Sequence, residues 1–224
     1  MHNQKIKNVY GLHICKTGGR FYHSSVLIPT IQSSKIKIPV IENGQDDHYG
    51  WHKDISNNTF IVAGIRDVVK QNCSLFIDIM VNAKLNNEKY SFEKKYFLKW
   101  IVESHHAQNN MSKHFFYSEK LIDYGMNLEP RPMKDLNLIL ERANKVNLYY
   151  DVDENFNTYD LSKKLSDRLN IPFIYHEYAN RLNVGKNLGS KVLYDSLDKS
   201  EKEFINSVSF LDLKLYEFIK NTGK

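Results

Sequence analysis

The stretch that most narrows the choice of fold is a short apolar run, Asn8 to Ile14 (NVYGLHI), followed by Lys16-Thr17-Gly18-Gly19 and the helix-compatible RFYHSSVLI. Strand, glycine turn and helix in that order form the unit that opens many α/β nucleotide-binding domains. The alternation then continues. Lys37 to Ile41 (KIPVI) reads as a second short strand. Thr59 to Ile65 (TFIVAGI) is an almost unbroken apolar run, which suits a parallel strand covered on both faces. The following VVKQNCSLFIDIMVNA keeps helical periodicity for about four turns. Ser91 to Ser104 predicts a helix with Phe92, Tyr96 and Trp100 on a core-facing stripe, joined by either Phe97 or Ile101. Val146 to Tyr150 (VNLYY) predicts another parallel strand, its two tyrosines closing a buried element. Residues 151–170 predict a helix with Leu161, Leu165 and Leu169 at spacing four. Asp198 to Asn221 predicts one long closing helix, in which Ser200 to Glu203 (SEKE) has the form of a capping box. The whole pattern predicts an α/β protein: a single domain over residues 1–224, with a central, mostly parallel sheet flanked by helices in a P-loop-like nucleotide-binding topology.

Composition narrows the function. At 224 residues, 42% of them hydrophobic, the chain is long enough for a sizeable core and too apolar for a disordered segment. No apolar run approaches the roughly 20 residues that cross a bilayer. The opening MHNQKIKNVY lacks the apolar stretch of a signal peptide. The expectation is a cytoplasmic protein without a membrane span. Cys15 and Cys73 are too few for a disulfide framework or an all-cysteine zinc site and read as reduced, packed thiols. A formal charge of +5 favours an anionic ligand. The lysines are scattered rather than clustered, so nucleic acid is not expected.

The segment His13-Ile14-Cys15-Lys16-Thr17-Gly18-Gly19-Arg20 carries the most chemistry. Two glycines let backbone N–H groups turn toward an anion, and the next helix adds the partial positive charge of its N-terminus. Lys16 supplies a full charge, and the Thr17 hydroxyl is a donor for a phosphate oxygen. The plainer reading is a strand-to-helix turn that uses glycine for its geometry. A Walker loop, G-x-x-x-x-G-K-[ST], fits poorly: Gly11 is five positions before Lys16, and Cys15 stands where the second glycine belongs.

HICKTGGRFY resembles the HIPKTGGTS loop of the sulfotransferases, in the branch with carbohydrate and tyrosyl-protein members. A second stretch, Ile65-Arg66-Asp67-Val68-Val69-Lys70-Gln71-Asn72-Cys73-Ser74, resembles that family's R-D-P-x-x-R-x-x-S pattern. A weaker third likeness joins RLNVG at 181–185 to the later DLKLYEF. The resemblance implies that the chain binds 3′-phosphoadenosine 5′-phosphosulfate (PAPS) and releases the bisphosphate PAP. By the same resemblance, Lys16, Thr17, Gly18, Gly19 and Arg20 hold the 5′ end, and Arg66 and Ser74 grip the 3′-phosphate. It further implies that Lys16 steadies the leaving oxygen, that the Arg181 to Lys186 loop closes over the nucleotide, and that the acceptor is a hydroxyl, a sugar first among them. Cys15, Val68 and Gln71 depart from the pattern, replacing two prolines and the second arginine; Lys70 is the neighbouring cation.

The same resemblance implies that the base belongs to DDHYGWHKDI, before Arg66. His48 stands 18 residues ahead of Arg66 and has Asp54-Ile55 after it, a spacing that looks like a bacterial branch of the family. His52, four residues on, is the competitor. Histidine is the side chain suited to the task, since an unperturbed imidazole, with a pKa of about 6.5, accepts a proton near neutral pH. Two surface histidines without catalytic duty is the bland reading. His105, His106 and His114 read as a solvated helix end rather than a metal cluster. Asp151, Asp153 and Glu154 read as a solvated turn rather than a cation site. No metal is expected. Two alternatives stay open: a magnesium-dependent kinase or NTPase using Asp67, and a nucleotide-binding protein that has lost transfer.

Overall fold

Four parallel strands form the centre of the computed structural model, which is described over residues 6–14, 16–18, 22–35, 37–41, 50–52, 55–85, 93–104, 107–118, 135–153, 157–175 and 184–223. They are β1 (Asn8–Leu12), β2 (Val40–Ile41), β3 (Thr59–Ile65) and β4 (Leu148–Asp151), in the order β2-β1-β3-β4. Every neighbouring pair is parallel. β3 lies inside the sheet with all seven residues buried, as its unbroken apolar run predicts. β2 is a two-residue edge strand, and Pro39 just before it accepts from Val9 through its carbonyl, a position where its missing N–H costs nothing. Asn147 starts β4 in register: its side chain accepts from the Ile61 N–H at 2.7 Å while its own N–H donates to the Ile61 carbonyl.

Alternate strand residues feed two cores. Tyr10, Leu12, Ile61, Ala63, Ile65 and Tyr149 face one side, toward α4 (Asn110–Phe116), α5 (Leu136–Lys145) and α9 (Phe210–Thr222). Val9, Phe60, Val62, Leu148 and Tyr150 face the other, where Tyr22, Val26, Leu27 and the leucines of α6 (Thr158–Leu169) cover them. Leu161, Leu165 and Leu169 sit in that core, at the spacing that predicts the helix. A third cluster joins α2 (Val68–Leu85) to α3 (Lys94–Glu103), α7 (Val184–Ser196) and α8 (Lys199–Val208). Among the described residues no helix is long and apolar enough to cross a membrane.

Several local expectations are corrected. The helix after the glycine turn opens as a π-helical turn, His23–Leu27, before α1 (Ile28–Ser33). Pro29 has no N–H to offer the carbonyl one α-turn back, and the Ile28 N–H instead reaches His23, five residues away. The core stripe of α3 is Phe97 and Ile101, with the half-buried Trp100 packed on Phe76 and Phe97 as expected, but not Tyr96, which is 46% exposed; Phe92 lies outside the described residues. The single closing helix is two, α8 and α9, divided at Ser209. The capping box of α8 is made by Asp198 and Glu201 rather than by Ser200 and Glu203.

Candidate functional site

β1 hands the chain to β2 on one side of the sheet, and β2 hands it back to β3 on the other. The carboxyl ends of β1 and β3 therefore flank the point where the strand order reverses, the crevice in which open α/β sheets bind ligands. The sequence puts Lys16-Thr17-Gly18 after β1 and Arg66-Asp67 after β3.

The loop after β1 is closely constrained. Lys16 and Gly18 both take left-handed backbone, with φ of 61° and 72°. Glycine does so freely, whereas lysine does so against a steric penalty. Thr17 is fully buried between them, and its hydroxyl donates to the Ile14 carbonyl at 2.9 Å. Its hydroxyl thus shapes the loop in this structure instead of pointing outward. The Gly18 carbonyl accepts from the Tyr22 N–H at 2.9 Å. Below the loop lies Gly64 of β3, where a Cβ would stand 2.5 Å from the Thr17 carbonyl oxygen and 2.6 Å from the Tyr150 ring. Tyr150 in turn stacks flat on Tyr22, with centroids 4.1 Å apart. Burial pushes both phenols well up, so this floor carries no charge.

Two cationic side chains meet above that floor. Arg66 donates from Nη1 to the Lys16 carbonyl at 3.4 Å and from Nε to Asp153 at 3.2 Å. Lys70, one turn into α2, places Nζ 3.8 Å from the other Asp153 oxygen. Lys16 itself turns to Asp78, with Nζ and Oδ2 2.6 Å apart. Asp78 lies on α2 at spacing four from Ser74, which lies at spacing four from Lys70. These three form a polar line along a helix whose neighbouring positions, Gln71 to Cys73 and Leu75 to Ile77, are buried.

Asp153 is itself braced. It accepts from the Asp67 N–H at 3.2 Å, and its own N–H donates to Asp151 at 2.9 Å. Asp151 accepts from Tyr216 at 3.1 Å and from Lys220 at 3.3 Å, both on α9. Burial, then the adjoining Asp151 carboxylate, push the Tyr216 phenol up and keep it a donor. The acidic turn after β4 is therefore not simply solvated: it ties the C-terminal helix to the guanidinium of Arg66.

Of the sequence-predicted residues, the structure brings Lys16, Thr17, Gly18 and Arg66 together, with Ser74 half-buried on the adjoining helix. Gly19, Arg20, Cys15, His48 and residues 181–183 lie outside the described residues. His52 is placed elsewhere: its ring sits 5.8 Å from that of Tyr10, in the middle of β1. Tyr10 precedes Ile14 by four residues, about 13 Å along an extended chain. Gln71, where a second arginine was the pattern, points into the core and donates to Asn110 at 3.2 Å, while Lys70 stands at the Arg66 side. Asp67 accepts from the Lys70 N–H at 3.0 Å and caps α2. Cys73 is a buried free thiol, its pKa pushed up to about 12 by burial. His114 is buried, and His105 and His106 lie outside the described residues. Among the described residues no cluster of three or more His, Cys, Asp or Glu is placed to hold a metal.

Asp78 and the structural part of Asp153 are the residues that sequence reasoning missed. A signal for Asp78 existed: polar residues at 70, 74 and 78 recur every four positions along the helix. Asp153 had no such signal, because its role depends on β4 lying beside β3. Three cations (Lys16, Arg66, Lys70) and two carboxylates (Asp78, Asp153) thus converge on one crevice. The arrangement suits a polyanion able to exchange itself for a carboxylate at more than one cation. No protein-family model, curated protein or solved structure matches the chain.

Proposed function

We propose that the crevice binds PAPS and that the protein transfers its sulfuryl group to a hydroxyl acceptor, a carbohydrate first. The observation that carries this reading is the convergence of the Lys16 loop and the Arg66 guanidinium at the strand-order switch, joined by the 3.4 Å bond from Arg66 to the Lys16 carbonyl. Lys16 and the 16–19 loop take the phosphosulfate end. Arg66, Ser74 and Lys70 take the 3′-phosphate. In transfer, the acceptor oxygen bonds to sulfur as the bond from sulfur to the bridging phosphate oxygen breaks. A histidine, His48 in this reading, receives the hydroxyl proton, and Lys16 steadies the charge on the departing oxygen.

A magnesium-dependent kinase is less well supported, because Asp67, the carboxylate it would use, is occupied in capping α2. A binding protein without transfer gains support from one feature: Lys16 and Arg66 already hold carboxylates. Thermal shifts with PAP and with Mg-ATP, followed by incubation with labelled PAPS and a glycan panel, separate the three. Stabilisation by PAP with transfer of label is the expected result. Preferential stabilisation by Mg-ATP sinks the reading, and tight PAP binding with no transfer to any acceptor favours the inert binder. His48→Ala is expected to cut turnover strongly while leaving PAP affinity nearly intact.

A further inference from the structure

We infer that Asp78 is a displaceable counter-ion that decides which anions Lys16 accepts, a role that rests on the anion-site reading above. The backbone of Lys16 is pinned: Arg66 holds its carbonyl, and the next residue is tied back to Ile14 through both N–H and hydroxyl. Only the lysine stem is left to move. Its side chain is 23% exposed, whereas that of Asp78 is 9% exposed and fixed on the 18-residue helix α2. The anchored partner is therefore the carboxylate, and the adaptable one is the ammonium.

That asymmetry has a consequence for selectivity. A small oxyanion such as sulfate, approaching Lys16 alone, gains one ammonium and meets one carboxylate 2.6 Å from it, so attraction and repulsion nearly cancel. A longer polyanion reaches Lys16 and, across the shared loop carbonyl, the Arg66 and Lys70 side of the crevice as well. It gains two or three cations against the same repulsion. Asp78 thereby screens out short anions and favours ligands with two separated anionic groups. It does not suit the role of proton acceptor. In an in-line transfer the base stands across sulfur from the leaving oxygen, while Asp78 stands at the ammonium on the leaving side. Asp78 is a positioning and selectivity residue.

The test is calorimetric titration of wild type, D78N, K16M and the K16M/D78N double variant with PAP, inorganic pyrophosphate and sulfate, in buffer of low ionic strength. D78N is expected to bind PAP and pyrophosphate about tenfold more tightly. It is also expected to acquire measurable sulfate binding that wild type lacks, which narrows the pyrophosphate-to-sulfate ratio. Both gains should vanish in the K16M background. Equal or weaker binding by D78N, an unchanged ratio, or a gain that persists without Lys16 overturns the inference. Binding by wild type without a D78N gain overturns this inference alone. Absence of binding by every protein to every probe overturns the anion-site reading, and the inference with it. Circular dichroism checks that D78N is folded, and D78S carries the same expectations should it not be.

Discussion

Lys16 and Arg66 leave adjacent strands at the same edge of the sheet, yet they are held in different ways. Lys16 has a strained, pinned backbone and a side chain with one carboxylate partner, Asp78. Arg66 is clamped between the Lys16 carbonyl and Asp153, and Asp153 is backed in turn by Asp67, Lys70, Asp151, Tyr216 and Lys220. The Arg66 limb is held in place through three elements, so on the proposed reading a phosphate there meets a guanidinium already fixed. The Lys16 limb must rearrange one side chain to take an anion, and selectivity is therefore proposed to reside there. A pair whose cation can swing to water also tolerates loss of its partner better than a clamped pair does.

Several substitutions would break or sharpen this contrast. The largest effect is expected at the shared floor. Gly64→Ala drives a methyl into the Thr17 carbonyl and the Tyr150 ring, and it should lower stability by about 3 kcal/mol in denaturant unfolding. An unchanged midpoint would mean that the loop floor yields easily and that neither limb is pinned by it. Next, Asp153→Asn should cost about 2 kcal/mol, because it leaves Arg66 and Lys70 short of a counter-charge and weakens acceptance from Asp67. Asp78→Asn should cost about half as much. Equal losses in parallel melts would erase the distinction between the limbs. Tyr216→Phe removes only the hydroxyl behind Asp151 and should cost about 1 kcal/mol, with a matching loss of PAP affinity if α9 braces Arg66.

The same helix carries a pH dependence. Asp212, fully buried on α9, caps α4 by accepting from the Met111 and Ser112 N–H groups at 3.0 and 2.7 Å. Burial raises its pKa to about 6 against the opposing pull of those donors, with Lys113 nearby. Because the folded state binds this proton more tightly than the unfolded chain does, stability from this group falls as pH rises from about 4 to about 6. Asp212→Asn should flatten that slope in unfolding measured across the window. A slope of the same size in both proteins would place the titration elsewhere. The smallest change belongs to Ser74→Ala, half-buried on the polar line of α2: stability within about 0.5 kcal/mol of wild type, and a few-fold loss of PAP affinity read by calorimetry.

The residues of the site were unequally legible. Lys16, Gly18 and Arg66 were readable because a glycine turn after an apolar strand, and a cation at the end of another, are local patterns that a parallel sheet brings to one edge. The helix N-caps were less so. Asp198 caps α8 and pairs with Glu201, whereas the Ser200 to Glu203 motif has the same spacing two residues later; the choice follows from where the preceding chain leaves the core at Leu197. The break at Ser209 carried no local signal. It arises because α9 must deliver Asp212 to the start of α4 while the Leu211 N–H donates to Asn109.

The order of residues alone determined the α/β class, the strands β1, β3 and β4 and the placing of Lys16 and Arg66 beyond two of them, since apolar periodicity and glycine act over a few neighbours. Only the tertiary structure decided that Asp78 meets Lys16 from 62 positions away, that the turn after β4 serves Arg66, and that Gln71 faces inward while Lys70 faces the crevice. Those pairings depend on which strand lies beside which and on how far a helix is rotated on the sheet. Both are set by the packing of the whole core, not by any short stretch of chain.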